Sequence, residues 1–259
     1  MQNVKKTLLL ASAALLATLV AAPAMAQSIG SAGAAYVNSQ ADFDGFEVEG
    51  DGAVADISFA TPAFGEWTVT GAAQVAYADN DFNDSTALSG SVHMSRNIWG
   101  VRAGGFVAAS DGGYETLWTV GGQVQKYFDK ATLSGVVSYG SVEDLDIWTV
   151  GGDAGYYLTP SLRVNAGVAY NSLEFDGSDT EALTYGVGAE YQINRSPFSV
   201  YGGWERASID DADLDIDTVS LGLRFSFGGD LQTRERSGAD LGRKLGGVAG
   251  AVGFISDAS

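Results

Sequence analysis

From about residue 30 to residue 227 the chain keeps one rhythm: apolar or aromatic residues at every second position, with Gly, Ser, Thr, Asn and Gln between them. In Trp148-Thr149-Val150-Gly151-Gly152-Asp153-Ala154-Gly155-Tyr156 the even positions are apolar, aromatic or Gly. The same alternation runs through Leu162–Tyr170, Leu183–Tyr191 and Val219–Phe227. A two-residue period sends successive side chains to opposite faces of a β-strand, so each segment carries one greasy face. Composition opposes helices: 35 of the 259 residues are Gly, and each Gly inside a helix costs about 1 kcal/mol relative to Ala.

Twelve such segments can be marked, at 30–38, 52–60, 67–78, 86–95, 100–109, 115–127, 132–142, 147–158, 162–172, 182–193, 198–208 and 216–227. An even number of strands near ten residues long, divided by turns, is the signature of a transmembrane β-barrel. The expected fold is therefore all-β: an antiparallel up-and-down barrel of about 12 strands with a C-terminal extension. The connections sort into two alternating kinds. One kind is tight and rich in turn formers, as in Thr61–Gly65, Arg96–Trp99, Phe128–Lys130, Leu158–Ser161 and Asn194–Pro197. The other is acidic and reads as loops of about 5 to 13 residues, at 39–51, 79–85, 110–115, 143–146, 173–181 and 209–217. These six stretches hold 22 of the 32 Asp and Glu residues and not one Lys or Arg.

Such a sorting gives the barrel one acidic rim, with Asp79, Asp81, Asp144, Asp146, Asp211, Asp213 and Asp215 among its members, and one mildly basic rim near Arg96, Lys130, Arg163 and Arg195. Short turns belong on the periplasmic side and longer loops outside, so the acidic rim is expected to face the exterior. Tyr77, Trp118, Tyr139, Trp148 and Tyr170 fall near the acidic rim, and Trp67, Trp99, Phe128, Tyr191, Phe198 and Phe227 near the other. Aromatics gathered at both ends read as interfacial girdles.

Residues 1–26 read as an address. Lys5 and Lys6 precede an apolar run from Leu8 to Ala22, and Ala24-Met25-Ala26 supplies the small-x-small site of a cleaved signal peptide. The run is short of the roughly 20 residues a spanning helix needs. The domain plan is thus 1–26 signal peptide, 27–227 transmembrane barrel and 228–259 C-terminal tail.

Together the leader, the alternating strands and the aromatic-ended last strand Val219–Phe227 resemble the Gram-negative outer-membrane porin-like barrels, over nearly all of residues 28–227. The resemblance implies insertion among outer-membrane lipids and lipopolysaccharide, passage of small solutes or ions, and a homo-oligomer. It also marks a departure: such barrels commonly stop at the terminal Phe, whereas here 32 residues follow Phe227.

If the greasy face meets lipid, the opposite face lines a lumen. That face carries Asp56, Gln74, His93, Arg102, Gln123, Gln125, Asp153, Arg163, Asn165, Glu190, Tyr201, Glu205 and Arg224. Eight strands give an interior just filled by side chains and sixteen leave an aqueous channel. Twelve, with Gly at many inward positions, suits a narrow channel for small hydrophilic solutes or ions. The acidic rim would favour cations weakly, since carboxylates concentrate cations and oppose anions. The alternative function is a structural or adhesive barrel acting through its acidic loops. A soluble lipocalin-like barrel would turn the greasy face inward, but its outer face would then carry more Lys and Glu than this one does.

Other classes are excluded more firmly. A balance of 14 Lys and Arg against 32 Asp and Glu, net charge -18, repels phosphate backbones, so no nucleic acid is expected. With no Cys and one His there is no metal site of the thiolate or imidazole kind, and no cofactor is expected. The acidic run Asp210, Asp211, Asp213, Asp215, Asp217 lacks the Gly and terminal Glu of an EF-hand. His93 stands between Ser91 and Ser95 on one strand face, but no Gly-x-Ser-x-Gly elbow is present and no catalytic residue is assigned. In the tail, Leu241, Leu245, Val248, Val252 and Ile255 recur at helical spacing, interrupted by Gly. It is expected either to stay in the periplasm, mostly disordered, or to fold back into the lumen as a plug.

Overall fold

In the computed structural model, residues 28–43, 45–80, 84–111, 115–143, 145–175, 178–209 and 212–245 are described. The leader, Asp81, Asp144, Asp211 and the tail beyond residue 245 lie outside the described residues. Twelve strands follow one another: β1 (Ile29–Phe43), β2 (Phe46–Pro62), β3 (Trp67–Asn80), β4 (Asp84–Ile98), β5 (Val101–Asp111), β6 (Thr116–Tyr127), β7 (Ala131–Val142), β8 (Leu145–Thr159), β9 (Leu162–Phe175), β10 (Ser178–Gln192), β11 (Phe198–Ile209) and β12 (Leu214–Phe227). Each pairs antiparallel with its sequence neighbours, and β1 pairs with β12 from Gly30↔Phe227 to Phe43↔Leu214. The sheet closes on itself, which leaves no open edge to satisfy.

Alternation sets the two faces. In β8, Trp148, Val150, Ala154, Tyr156 and Leu158 point out and are exposed, while Thr149, Gly155 and Tyr157 point in and are buried. Around the wall the outward row includes Val107, Val120, Val137, Val168, Val187, Val219 and Leu221, each roughly half exposed or more. An apolar belt of this extent is far beyond what a water-soluble monomer leaves uncovered. Trp118, Trp148 and Tyr170 border it toward the acidic end, and Trp99, Phe128, Tyr191 and Phe198 toward the tight-turn end, all exposed.

The strands run further than their sequence suggests, and the excess lies at the acidic end. The expected loops of about 5 to 13 residues shrink to connections of two to four residues, because most of 39–51, 173–181 and 209–217 is strand. The physical reason is an inversion of phase. Beyond the aromatic girdle the apolar residues move to the inner face and the carboxylates to the outer one: Leu145 and Ile147 point in and Asp146 out, and Leu214 and Ile216 point in while Asp215 and Asp217 point out. Above the lipid the outer face meets water, so the same pleat must carry charge outside and grease inside. Leu117, Ile147, Leu173, Ala182 and Ile209 accordingly form a buried cluster in the mouth of the barrel, with Val142, Leu145, Ala212 and Leu214 packed against it.

Turns at the other end are tight. Trp99 and Gly100 join β4 to β5 with φ values of 51 and 78, and Arg195 turns between β10 and β11 at φ 58. A Gly takes such a left-handed backbone without cost, whereas Trp99 and Arg195 adopt it against their Cβ.

Candidate functional site

The interior is built from the inward residues of all twelve strands and from the segment that follows β12. After Phe227 the chain turns through Gly228, at φ 83, and forms a helix, α1 (Leu231–Ser237), then a 3-10 turn at Gly242–Leu245. Asp230 caps the helix by accepting a bond from the Thr233 amide at 2.8 Å, and Gly238 ends it in the left-handed conformation at φ 89. Leu231, Arg234, Glu235, Ala239 and Leu241 are buried almost completely.

What buries them is the barrel wall. The Ser58 hydroxyl of β2 donates to the Ala239 carbonyl, and the Thr70 hydroxyl of β3 donates to the Gly238 carbonyl at 3.0 Å. Arg102 of β5 reaches the Arg236 carbonyl at 2.9 Å. Glu235 accepts from Thr132 of β7 and Tyr157 of β8, each at 2.8 Å, and from Arg163 of β9 at 3.0 Å. Arg234 bonds Glu190 of β10 at 2.7 Å and Ser226 of β12 at 2.8 Å. Arg243 pairs with Asp56 of β2 at 2.6 Å and donates to the Ser31 carbonyl of β1 at 3.0 Å. A segment that touches strands on every side of a closed wall lies inside it. The wall makes room with small hydroxyls: Ser31, Ser58, Thr70 and Ser199 are fully buried.

The buried carboxylates in this layer are each paired with a guanidinium, while Arg102 bonds only neutral groups among the described residues. Asp240 is gripped by Arg234 at 3.0 Å and Arg243 at 2.7 Å, and Glu190 by Arg224 at 2.9 Å and Arg234 at 2.7 Å. Burial alone would lift the Asp240 carboxyl, but the two guanidinium groups outweigh it and hold the carboxyl below the usual range. Burial alone would lower the Arg234 guanidinium, but Asp240 and Glu190 hold it above its usual value.

Each residue expected to line the lumen sits on the inward phase of its strand. His93, Arg102, Gln123, Gln125, Glu190 and Arg224 are buried there, and Asp56, Gln74, Asp153, Arg163, Asn165, Tyr201 and Glu205 are half-buried. The His93 ring lies 2.9 Å from the Ser91 hydroxyl and 2.6 Å from the Gln123 amide and stacks near Phe106, beneath Gly242 of the tail. Arg224 lies over the Tyr201 ring, 3.9 Å from its centroid. The members of the acidic rim that are described stand elsewhere. Asp146 accepts from the Tyr139 hydroxyl at 2.6 Å and Asp215 from Ser208 at 2.6 Å, both on the outer face, and Asp213 lies in the last turn at φ 46. Asp79 shares the outward phase of Tyr77.

Above the tail a cavity of about 480 Å³ opens in the half of the lumen walled by β6–β12, with Glu205, Thr184, Thr218 and Ser220 toward the acidic end and Arg234, Glu235 and Asp240 as its floor. Sequence reasoning missed the floor. Arg234, Glu235, Asp240 and Arg243 come from the tail, outside the alternating pattern that marks lumen residues. The signal available was composition: Leu231–Arg236 puts two Arg and one Glu on one helical turn, next to a barrel with charges of both signs inside.

No protein-family model matches the sequence, and no curated protein does. Solved structures do match. The translocator domain of the autotransporter NalP from Neisseria meningitidis is 10% identical, covers 85% of this chain and 95% of its own, and superposes with a TM-score of 0.52. An outer membrane channel from Pseudomonas putida F1 is 11% identical over 77% of this chain and 96% of its own, at a TM-score of 0.57. The NanC porin is 6% identical over 74% of this chain and 98% of its own, at a TM-score of 0.55. At such identities the likeness is one of architecture: the chain has the closed, antiparallel fold of the outer-membrane β-barrels.

Proposed function

We propose that the protein is an outer-membrane channel for passive diffusion of small hydrophilic solutes or ions, weakly cation-preferring, held closed by its own C-terminal segment. The observation that carries this reading is the cavity of about 480 Å³, with charged and hydroxyl side chains among its lining, inside a barrel with an apolar outer belt. A wall that only had to be structural has no need of an interior where Asp, Glu, Arg, Asn and Tyr face open space. The likeness to an outer membrane channel and to a porin agrees with it. In this reading the tight-turn end, where both β1 and β12 have their outer termini, faces the periplasm, the acidic end faces the outside among lipopolysaccharide headgroups, and residues 1–26 are removed on export. The acidic end would draw cations toward the mouth through its summed field, although those of its carboxylates that are described on the strands point to the outer face.

A second reading is favoured by the two closures, the tail at one end and the apolar cluster at the other: a structural barrel that never conducts. Planar-bilayer recording separates the two. The channel reading expects low conductance from the full chain, a several-fold rise when residues 229–259 are deleted, and a reversal potential of cation-preferring sign across a potassium chloride gradient. Absence of conductance from both forms, with the barrel shown closed by its gel mobility before and after boiling, retires the channel.

A further inference from the structure

Five carboxylates line the cavity: Asp153, Glu190, Glu205, Glu235 and Asp240. Four have a guanidinium at salt-bridge distance, Asp153 and Glu235 from Arg163 at 3.7 and 3.0 Å, Glu190 from Arg224 at 2.9 Å, and Asp240 from Arg234 at 3.0 Å. Glu205 has neither an ion pair nor a hydrogen bond among the described residues. Its surroundings explain why no arginine reaches it. On β10 it faces Gly186, where an added Cβ would lie 3.2 Å from the Glu205 Cβ, and on β12 it faces Thr218. The layer of arginines begins several residues further down the wall, at Arg224 on β12 and Arg163 on β9.

A second unpartnered group lines the same space. Thr184, two residues from Gly186 on the same face of β10, is 5% exposed, and its hydroxyl oxygen is buried with no hydrogen-bond partner. Diagonal neighbours on one face of a sheet are about 7–8 Å apart, within reach of a long side chain such as Glu. Ser220, opposite Gly203, adds another hydroxyl to the lining. Taken together these are oxygen donors only, one of them a carboxylate, gathered on the lining of one cavity with no guanidinium at salt-bridge distance from Glu205 among the described residues.

We infer that Glu205 and Thr184 form a binding station for a monovalent alkali cation inside the lumen. Oxygen donors select hard cations, and a single carboxylate matches a single positive charge, whereas a calcium site gathers several carboxylates among six to eight oxygens. One carboxylate and neutral hydroxyls bind weakly and exchange fast, as a station on a conduction path must. The station deepens the channel reading by naming the residue that sets cation preference, a role the outward carboxylates of the acidic end are badly placed to fill. Binding itself requires no current through the barrel.

Two measurements on the full chain test it. In sodium-23 NMR of the detergent-solubilised protein titrated with sodium chloride, wild type is expected to broaden the sodium line beyond Glu205→Gln, and Thr184→Val to fall between them. Glu181→Gln, which removes an exposed outer-face carboxylate, keeps the wild-type value, and gel mobility of unheated samples checks that each variant is a closed barrel. Equal broadening by wild type and Glu205→Gln overturns the station, as it would if the carboxyl simply carried a proton. In planar bilayers, Glu205→Gln lowers the cation-to-anion permeability ratio by roughly threefold, the effect of one charge acting at short range inside the bore. An unchanged ratio beside wild-type-specific broadening removes Glu205 from selectivity. No conductance in any variant retires the channel, and the NMR comparison then decides the station alone.

Discussion

Asp240 shows at the level of one side chain how the tail is held. In the docked tail its carboxyl is kept ionised by Arg234 and Arg243, below its ordinary value near 3.8, which it would regain once drawn out into water. A carboxyl depressed in the docked form contributes to docking above the free value and loses that contribution as pH falls through the docked one. Docking should therefore be full above about pH 5 and weaken progressively below about pH 4. Hydrogen exchange of residues 231–243, corrected for the intrinsic pH dependence of exchange, should show protection falling in that window, and equal protection at pH 7 and pH 3 would refute it. Glu235 gives a counterpart tested by substitution. Three barrel groups, Thr132, Tyr157 and Arg163, converge on its carboxylate. Breaking one partner of a buried pair typically costs about 3–5 kcal/mol, so Glu235→Gln is expected to expose α1 to exchange and raise conductance, with the barrel itself intact on gels.

At the level of elements, the tail and the strand ends were legible to different degrees. The alternation of Trp148–Tyr156 or Leu183–Tyr191 revealed both the strand and its two faces, because a period of two has one structural meaning. The strand ends are hidden for the same reason: at Glu47-Val48-Glu49 or Leu214-Asp215-Ile216-Asp217 the period continues but its phase inverts, and a charge-rich strand end has the composition of a loop. The helical spacing from Leu241 to Ile255 falls mostly outside the described residues; α1 lies earlier, where Asp230 and Gly238 supply the caps. The tail's position in the lumen was legible only as one of two alternatives, since nothing in a polar helix says which wall it will meet. Gly242 records how close the fit is: a Cβ there would overlap that of Ala72 and lie 3.2 Å from the Ser91 hydroxyl. The chain has no Cys, so Ser58→Cys with Ala239→Cys places a unique thiol pair across one wall-to-tail contact. Oxidised protein should conduct no more at pH 3 than at pH 7, and reduction should restore any acid-induced rise. A rise undiminished by the cross-link would mean that the current takes another route.

For the molecule as a whole, the solvent on each face is the deciding quantity. The outer belt is exposed in the isolated barrel and needs acyl chains against it. Val187 lies in that belt between Tyr185 and Tyr191 and is 55% exposed. A charge introduced on the lipid face near the midplane costs about 2–4 kcal/mol, so Val187→Arg should lower the unfolding free energy measured in vesicles by that amount while leaving the detergent-solubilised barrel little changed. Equal destabilisation in both media would place the belt somewhere other than in lipid.

The covalent order of the pieces carries one more consequence. The seam between β1 and β12 joins the two ends of the sheet, and the segment that occupies the bore is attached directly behind β12. Once seated, Arg243 holds the Ser31 carbonyl of β1 while Arg234 holds Ser226 of β12, so one short stretch of chain grips both lips of the seam from within. Zipper and clasp are one polypeptide, and a tail drawn out of the bore leaves the seam to its ladder of backbone bonds alone.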